Sequence, residues 1–349
     1  MKNKVTFGSR TIGDGEPIFI IAEAGVNHNG KMELAKQLAD IAFEAGVDAV
    51  KFQTFKTEEV ATREAKMAEY QKEQLQDMDS QFEMIKKLEL DYEKFAELKE
   101  YCDGKGILFL STPHNPGAAV FLENLMPIYK IGSGDLTNLP FLEQVARYGK
   151  PIILSTGMST IDEIAEAVNS IKQAQNTDII LLHCVTSYPA NIEDANLRAI
   201  NTLKETFSLP VGYSDHTLGL EASIAAVALG ACVIEKHFTI SKDLIGPDHK
   251  ASLEPTELQE LVKNVRNLEK ALGDGDKKPT SAERAIMGVV RKSLVAKVPI
   301  PKGTVIRDDM ISIKRPGHGI APKFLNHVIG KKASVDIKED TVLSMSMIE

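Results

Sequence analysis

Residues 209–239 read LPVGYSDHTLGLEASIAAVALGACVIEKHFT: an apolar run, a polar turn with His216, a helical interval, a second apolar run and His237. The two histidines stand 21 positions apart, roughly the length of one strand–helix–strand repeat. In a βα repeat, residues at the carboxyl ends of neighbouring parallel strands emerge on one face, so both imidazoles can face one pocket. Alternation along a strand turns Glu235 to the side of His237 and Lys236 to the other. Asp248 and His249 follow in a Gly-Pro-Asp-His turn. Two imidazoles at adjacent strand ends, with carboxylates nearby, suggest a divalent transition metal. Either histidine alone fits equally well as one packed under a loop.

Working outward, the pattern recurs. Eight short apolar runs, at 18–24, 49–54, 107–112, 128–132, 151–156, 179–184, 209–214 and 232–239, end in small or polar residues, and a helical segment follows nearly every one. Continuous apolar strands alternating with helices mark a parallel sheet buried on both faces. Eight repeats over about 250 residues predict an α/β fold of the closed (β/α)8 TIM-barrel kind, with an open doubly wound sheet as the alternative. The connection after the second run is long, and its charged part, 56–81, reads KTEEVATREAKMAEYQKEQLQDMDSQ. Loop-length statistics make an insertion over 56–90 a candidate cap for the barrel mouth, or else a solvated helical excursion. The expected division is a barrel over 1–275, a linker over 276–290 and a small β-rich domain over 291–349, where short strand-like runs carry Pro-Lys-Gly and Lys-Glu-Asp turns.

Composition narrows the function. A net charge of -8 without a basic cluster argues against nucleic acid. The amino-terminal segment MKNKVTFGSRTIGDGEP has no apolar signal core, and no run approaches a membrane span. Three cysteines with no CxxC suit a reducing compartment, so a soluble cytoplasmic protein is expected.

In such a barrel the strand ends form the active face. They supply Glu23 from the first strand, Lys51 and Gln53 from the second, Thr112 from the third, and Lys130 and Ser133 from the fourth. The fifth gives Ser155, the sixth Thr186 and Tyr188, the seventh Ser214 and His216. Inward lysines with hydroxyls in glycine-bearing turns make a plausible phosphate cradle. A buried ammonium demands an anion or a catalytic purpose, which singles out Lys51 and Lys130. Glu23 also fits as the ion-pair partner of one of them. Cys184 reads as a small packing residue.

The stretches IAEAGVNHNG, KFQTFK, FLSTP, KIGSGD, ILSTGM, LLHCVTSYP, GYSDHT, IEKHFT, GPDHKASLEP, RKSLVAK and KRPGHG, in this order, closely resemble the sialic acid synthase family. Those enzymes condense phosphoenolpyruvate with an N-acylated mannosamine-type sugar. The resemblance implies that residues 291–349 form an antifreeze-like (SAF) domain, which in relatives reaches over the partner's barrel in a swapped homodimer. It implies a catalytic metal on His216 and His237, usually manganese, with Mg2+ or Co2+ as alternatives to Mn2+. It makes Lys130, Ser133, Ser155 and Ser214 contacts to the phosphate, with Thr186 where some relatives carry Asn. Gln53, Thr112, Tyr188 and Asp248 would hold the sugar, Glu23 would lie near the reacting aldehyde, and Arg315 would enter from the other subunit. The expected sugar is N-acetylmannosamine, giving N-acetylneuraminate, with 2,4-diacetamido-2,4,6-trideoxymannose, giving legionaminate, as the alternative. Two readings of other kinds are a Schiff-base aldolase using Lys130 and an inert barrel carrying a carbohydrate- or ice-binding module.

Overall fold

Eight parallel strands make one sheet: β3 (Phe19–Gly25), β4 (Ala49–Thr54), β5 (Leu108–Pro113), β6 (Tyr129–Ile131), β7 (Ile152–Ser155), β8 (Ile179–Cys184), β9 (Val211–Asp215) and β10 (Val233–His237). A hairpin of β1 (Lys4–Phe7) and β2 (Arg10–Gly13) precedes them. This computed structural model describes residues 4–67 and 80–349, so residues 68–79 of the 56–90 insertion lie outside the described residues.

The strand order is β5-β4-β3-β10-β9-β8-β7-β6, and the end strands β5 and β6 lie side by side, which brings the sheet round into a nearly closed barrel. β3, β5, β7 and β9 are each followed by a single helix before the next strand, β6 and β8 by a helical turn and a helix, and β4 by a longer connection; the apolar strand residues are buried almost without exception. That burial on two faces is why the strands read as continuous apolar runs rather than alternating ones. Packing is tight enough to restrict side-chain choice. A Cβ on Gly212 would lie 2.6 Å from both Cβ and O of Val233 and 2.7 Å from Leu182, so only glycine lets β8, β9 and β10 approach this closely.

The helices start where capping chemistry dictates. Ile161–Gln173 begins at Thr160, whose hydroxyl accepts from the Glu163 backbone while Glu163 returns a bond to the Thr160 backbone. In the connection after β4, the described helices are Thr57–Val60, Gln81–Leu88 and Tyr92–Lys105. Glu89 ties this insertion together. It accepts from the Thr57 backbone at 2.9 Å and the Thr57 hydroxyl at 2.7 Å, with Lys56 and Lys86 both at 3.1 Å. Met84 and Leu88 join Val26, Phe55 and Met67 in an apolar cluster separate from the main barrel core.

The chain divides into two compact units, 1–273 and 274–349. The second contains the antiparallel pair β11 (Ser293–Ala296) and β12 (Ile311–Lys314) around a small core that includes Leu294, Ile300, Ile306 and Leu343. The stretch 276–290 holds a helix, Ser281–Val290, nucleated by a Thr280–Glu283 capping box. Among the described residues, no helix is long and apolar enough to cross a membrane.

Candidate active site

The strand ends of the first unit surround a cavity of about 140 Å³. Its wall contains Glu23, Lys51, Gln53, Thr112, Lys130, Ser133, Ser155, Thr186, Tyr188, Ser214, His216 and His237. A second chamber of about 240 Å³ shares Gln53, His114, Tyr188 and His237 with the first and adds Asp248 together with Val26, Phe55, Val60, Met84, Ile85, Leu88 and Pro247. Of the residues singled out in the sequence, Lys236, His249 and Arg315 are in neither wall; Arg315 belongs to the second unit, just after β12.

The inner cavity is organised by buried charge. Glu235, from the middle of β10, lies 3.4 Å from the Lys130 ammonium and 3.6 Å from that of Lys51, and accepts 2.9 Å from the Ser214 hydroxyl. Burial works against its charge, but the two ammonium groups pull Glu235 down to about 2. Lys51 also meets Glu23 at 2.5 Å and donates to Thr112 at 3.1 Å. Burial, together with the nearby charge of Glu235, pushes Glu23 up to about 7 against the opposing pull of Lys51. Lys51 and Lys130 therefore share one firmly ionised carboxylate, with a second carboxylate shifted toward its neutral form, while burial, against the pull of Glu235, lowers Lys130 from the usual lysine range. The surplus positive charge suits an anion.

Hydroxyl donors stand beside it. Lys130 donates to Ser155 at 2.8 Å, and Ser133 accepts from the Gly157 N–H at 3.0 Å. A Cβ at Gly157 would meet Thr186 Oγ1 at 2.2 Å and Ser133 Oγ at 2.8 Å, so a larger residue there would displace both hydroxyls. The Thr186 hydroxyl is buried in this wall with no hydrogen-bond partner among the described residues. Buried polar atoms in folded proteins are nearly always paired, so such an atom marks a place for a ligand.

The imidazoles of His216 and His237 have ring centroids 5.5 Å apart, with the Tyr188 ring 4.1 Å from the first and 5.6 Å from the second. His216 Nδ1 bonds the Val185 carbonyl at 2.7 Å, which fixes the tautomer and leaves Nε2 as the electron-pair donor. Burial holds His237 well below the usual imidazole range, and its Nδ1 has no partner among the described residues. Burial is outweighed at His216 by Cys184 and the Val185 carbonyl, which hold it above the usual imidazole range, so a divalent cation on the two imidazoles would have to displace a proton there. Among the described residues, no group of three or more histidine, cysteine, aspartate or glutamate side chains is placed to hold a metal ion.

Three wall residues were not assigned a role from the sequence. Glu235 was oriented correctly by alternation, but its place between two lysines depends on β4 and β6. Cys184 lies 3.8 Å from His216 Nδ1, whose N–H is held by the Val185 carbonyl, so the imidazole is a polar neighbour supplied by another repeat. Burial disfavours the thiolate, yet His216, Ser133 and Lys130 together hold Cys184 below the ordinary thiol range. His114 lines both chambers.

The NeuB family model matches residues 38–277, and the SAF domain model matches residues 291–349. The chain belongs to the NeuB family. It is an enzyme of the sialic acid synthase type within that family, followed by a SAF domain. It is 48% identical to the N,N'-diacetyllegionaminic acid synthase of Campylobacter jejuni over 93% of this chain and 98% of that one. It is 38% identical to the human N-acetylneuraminate-9-phosphate synthase over 97% of this chain and 95% of that one. Among solved structures it resembles the N-acetylneuraminic acid synthetase of Leptospira borgpetersenii, with 39% identity, a TM-score of 0.72, and coverage of 81% of this chain and 94% of that one. The NeuB match takes in seven of the eight barrel strands, β4 to β10.

Proposed function

We propose that this NeuB-family chain condenses phosphoenolpyruvate with the open-chain aldehyde of an N-acylated mannosamine-type sugar, giving a nine-carbon keto acid and phosphate. The observation that carries the reading is the sharing of Glu235 between Lys51 and Lys130, because the uncompensated charge beside Ser133, Ser155, Ser214 and Thr186 suits a phosphate and a carboxylate. In this reading those groups hold the enol pyruvate in line, which is catalysis by positioning and electrostatics. A bond forms between its methylene carbon and the aldehyde carbon, the aldehyde oxygen gains a proton, water adds at C2 with loss of a proton, and phosphate departs. In this reading Glu23, with its raised pKa, would exchange a proton near the aldehyde. His216 and His237 would hold a divalent cation, Mn2+ foremost, which supplies Lewis acidity for the aldehyde carbonyl.

The sugar tail belongs in the second chamber, with Gln53, Tyr188 and Asp248 as its polar contacts. Its walls of Val26, Phe55, Met84, Ile85 and Leu88 offer a 6-deoxy methyl group apolar contact, with Gln81 as a further polar side chain there. Together with the likeness to the Campylobacter synthase, this favours 2,4-diacetamido-2,4,6-trideoxymannose over N-acetylmannosamine. A cytoplasmic homodimer, with Arg315 supplied by the partner's SAF domain, completes the proposal. The test is phosphate release from phosphoenolpyruvate with Mn2+, offering each sugar in parallel. Faster turnover of the diacetamido sugar is expected; faster turnover of N-acetylmannosamine reverses the choice of sugar, and silence with both overturns the reaction.

A further inference from the structure

His114 is an inner-wall residue whose chemistry the reaction above leaves unused. It follows β5 directly, and its backbone N–H donates to the Thr54 carbonyl at 3.1 Å, so the β4–β5 ladder runs one residue past the strand. Period-two alternation from Thr112 then turns the His114 ring inward. The ring sits against Phe55, with centroids 6.3 Å apart and planes at 64°. It lines the polar cavity and the apolar chamber alike.

Its two nitrogens differ. Nδ1 is 3.9 Å from Asp135 Oδ2, beyond hydrogen-bond reach, and Nε2 is buried with no hydrogen-bond partner among the described residues. The side chain is 28% exposed as a whole and still keeps this nitrogen buried and unpaired beside the cavity, a place for a partner that arrives with the ligand. The surroundings identify that partner's chemistry. Burial, with Lys51 and Lys130 nearby, lowers the imidazole to about 4, so it is uncharged at neutral pH and adds nothing to a site for anions. A neutral imidazole offers one lone pair and one N–H, the complement of an amide or a hydroxyl.

We propose that His114 contacts the sugar, hydrogen-bonding through Nε2 to an amide or hydroxyl group where the chain of the N-acylated sugar passes from the polar cavity into the apolar chamber. This rests on the reaction proposed above and adds a recognition residue to it.

The experiment compares KM for each substrate in the full-length, Mn2+-loaded enzyme, followed by phosphate release with both sugars. His114→Phe keeps a ring against Phe55 and removes the nitrogens; His114→Gln restores an amide. The Phe variant is expected to raise KM for the preferred sugar about tenfold or more while KM for phosphoenolpyruvate stays within about twofold, and the Gln variant is expected to recover most of the loss. A Phe variant with unchanged sugar KM, or with both KM values raised alike, overturns the assignment. If the Phe protein does not fold, His114→Ala is read by the same criteria. Wild-type protein silent with both sugars removes the reaction itself, a different failure from an active wild type and an indifferent His114→Phe.

Discussion

The Lys236 ammonium lies 2.7 Å from Asp215 Oδ2, back to back with the two imidazoles, since Asp215 precedes His216 and Lys236 precedes His237. The pair is buried, Lys236 also reaches the Thr217 carbonyl, and Asp215 accepts from Ser223 and Thr217. It holds the ends of β9 and β10 in register from outside the barrel. Breaking a buried pair strands the remaining charge, so Lys236→Met should cost about 3 kcal/mol in chemical denaturation. It should also weaken Mn2+ binding by about tenfold, read by calorimetry, because groups that orient metal ligands act at that scale.

The imidazole pair carries its own prediction. His237→Ala and His216→Ala should each abolish metal-dependent phosphate release, and a chelator should silence the wild type until Mn2+ is restored. Undiminished metal dependence in either variant would remove the histidines from the metal assignment.

Lys130→Met should raise KM for phosphoenolpyruvate by roughly 10–100-fold, the scale of one charge-assisted hydrogen bond of about 1.5–3 kcal/mol. Borohydride added during turnover should trap no substrate on Lys130, and mass spectrometry of the treated protein reads this directly. A trapped adduct, with activity surviving the chelator, would favour the aldolase reading.

Glu89 makes stability depend on pH. Burial opposes its charge, but the two Thr57 bonds, Lys86 and Lys56 outweigh it and lower Glu89 from 4.5 to about 2. A depressed carboxylate contributes stability above its unfolded pKa, near 4.5, and loses that contribution as pH falls toward 2. Glu89→Gln should therefore cost about 2 kcal/mol at pH 7, allowing for solvent around the lysines, and less at pH 3. Urea unfolding followed by circular dichroism at both values checks the sign. A gap that widens in acid would contradict it.

The barrel was legible because strands buried on both faces leave unbroken apolar runs; those at 49–54 and 179–184 coincide with β4 and β8. The polar strand ends were legible for the same reason, each being the point where a run stops. His114 escaped because Pro113 looks like the end of a strand, whereas the ladder continues through the His114 N–H, a bond that depends on Thr54 in another strand. Cys184 read as packing because its partner, His216, is supplied by a different repeat. The apolar chamber leaves no local signature at all. Val26 follows β3 while Phe55, Met84 and Leu88 all lie in the long connection after β4, and only the fold brings the two connections together.

The two chambers meet at a partition of four side chains, Gln53, His114, Tyr188 and His237. Bond making is thereby insulated from the choice of acceptor. Diversification confined to Val26, Phe55, Val60, Met84, Ile85 and Leu88 could retarget the enzyme to unnatural aldehydes without disturbing the lysines and hydroxyls behind the partition. A biocatalyst built on this chain would need a small library, and the inner wall would serve as its constant part.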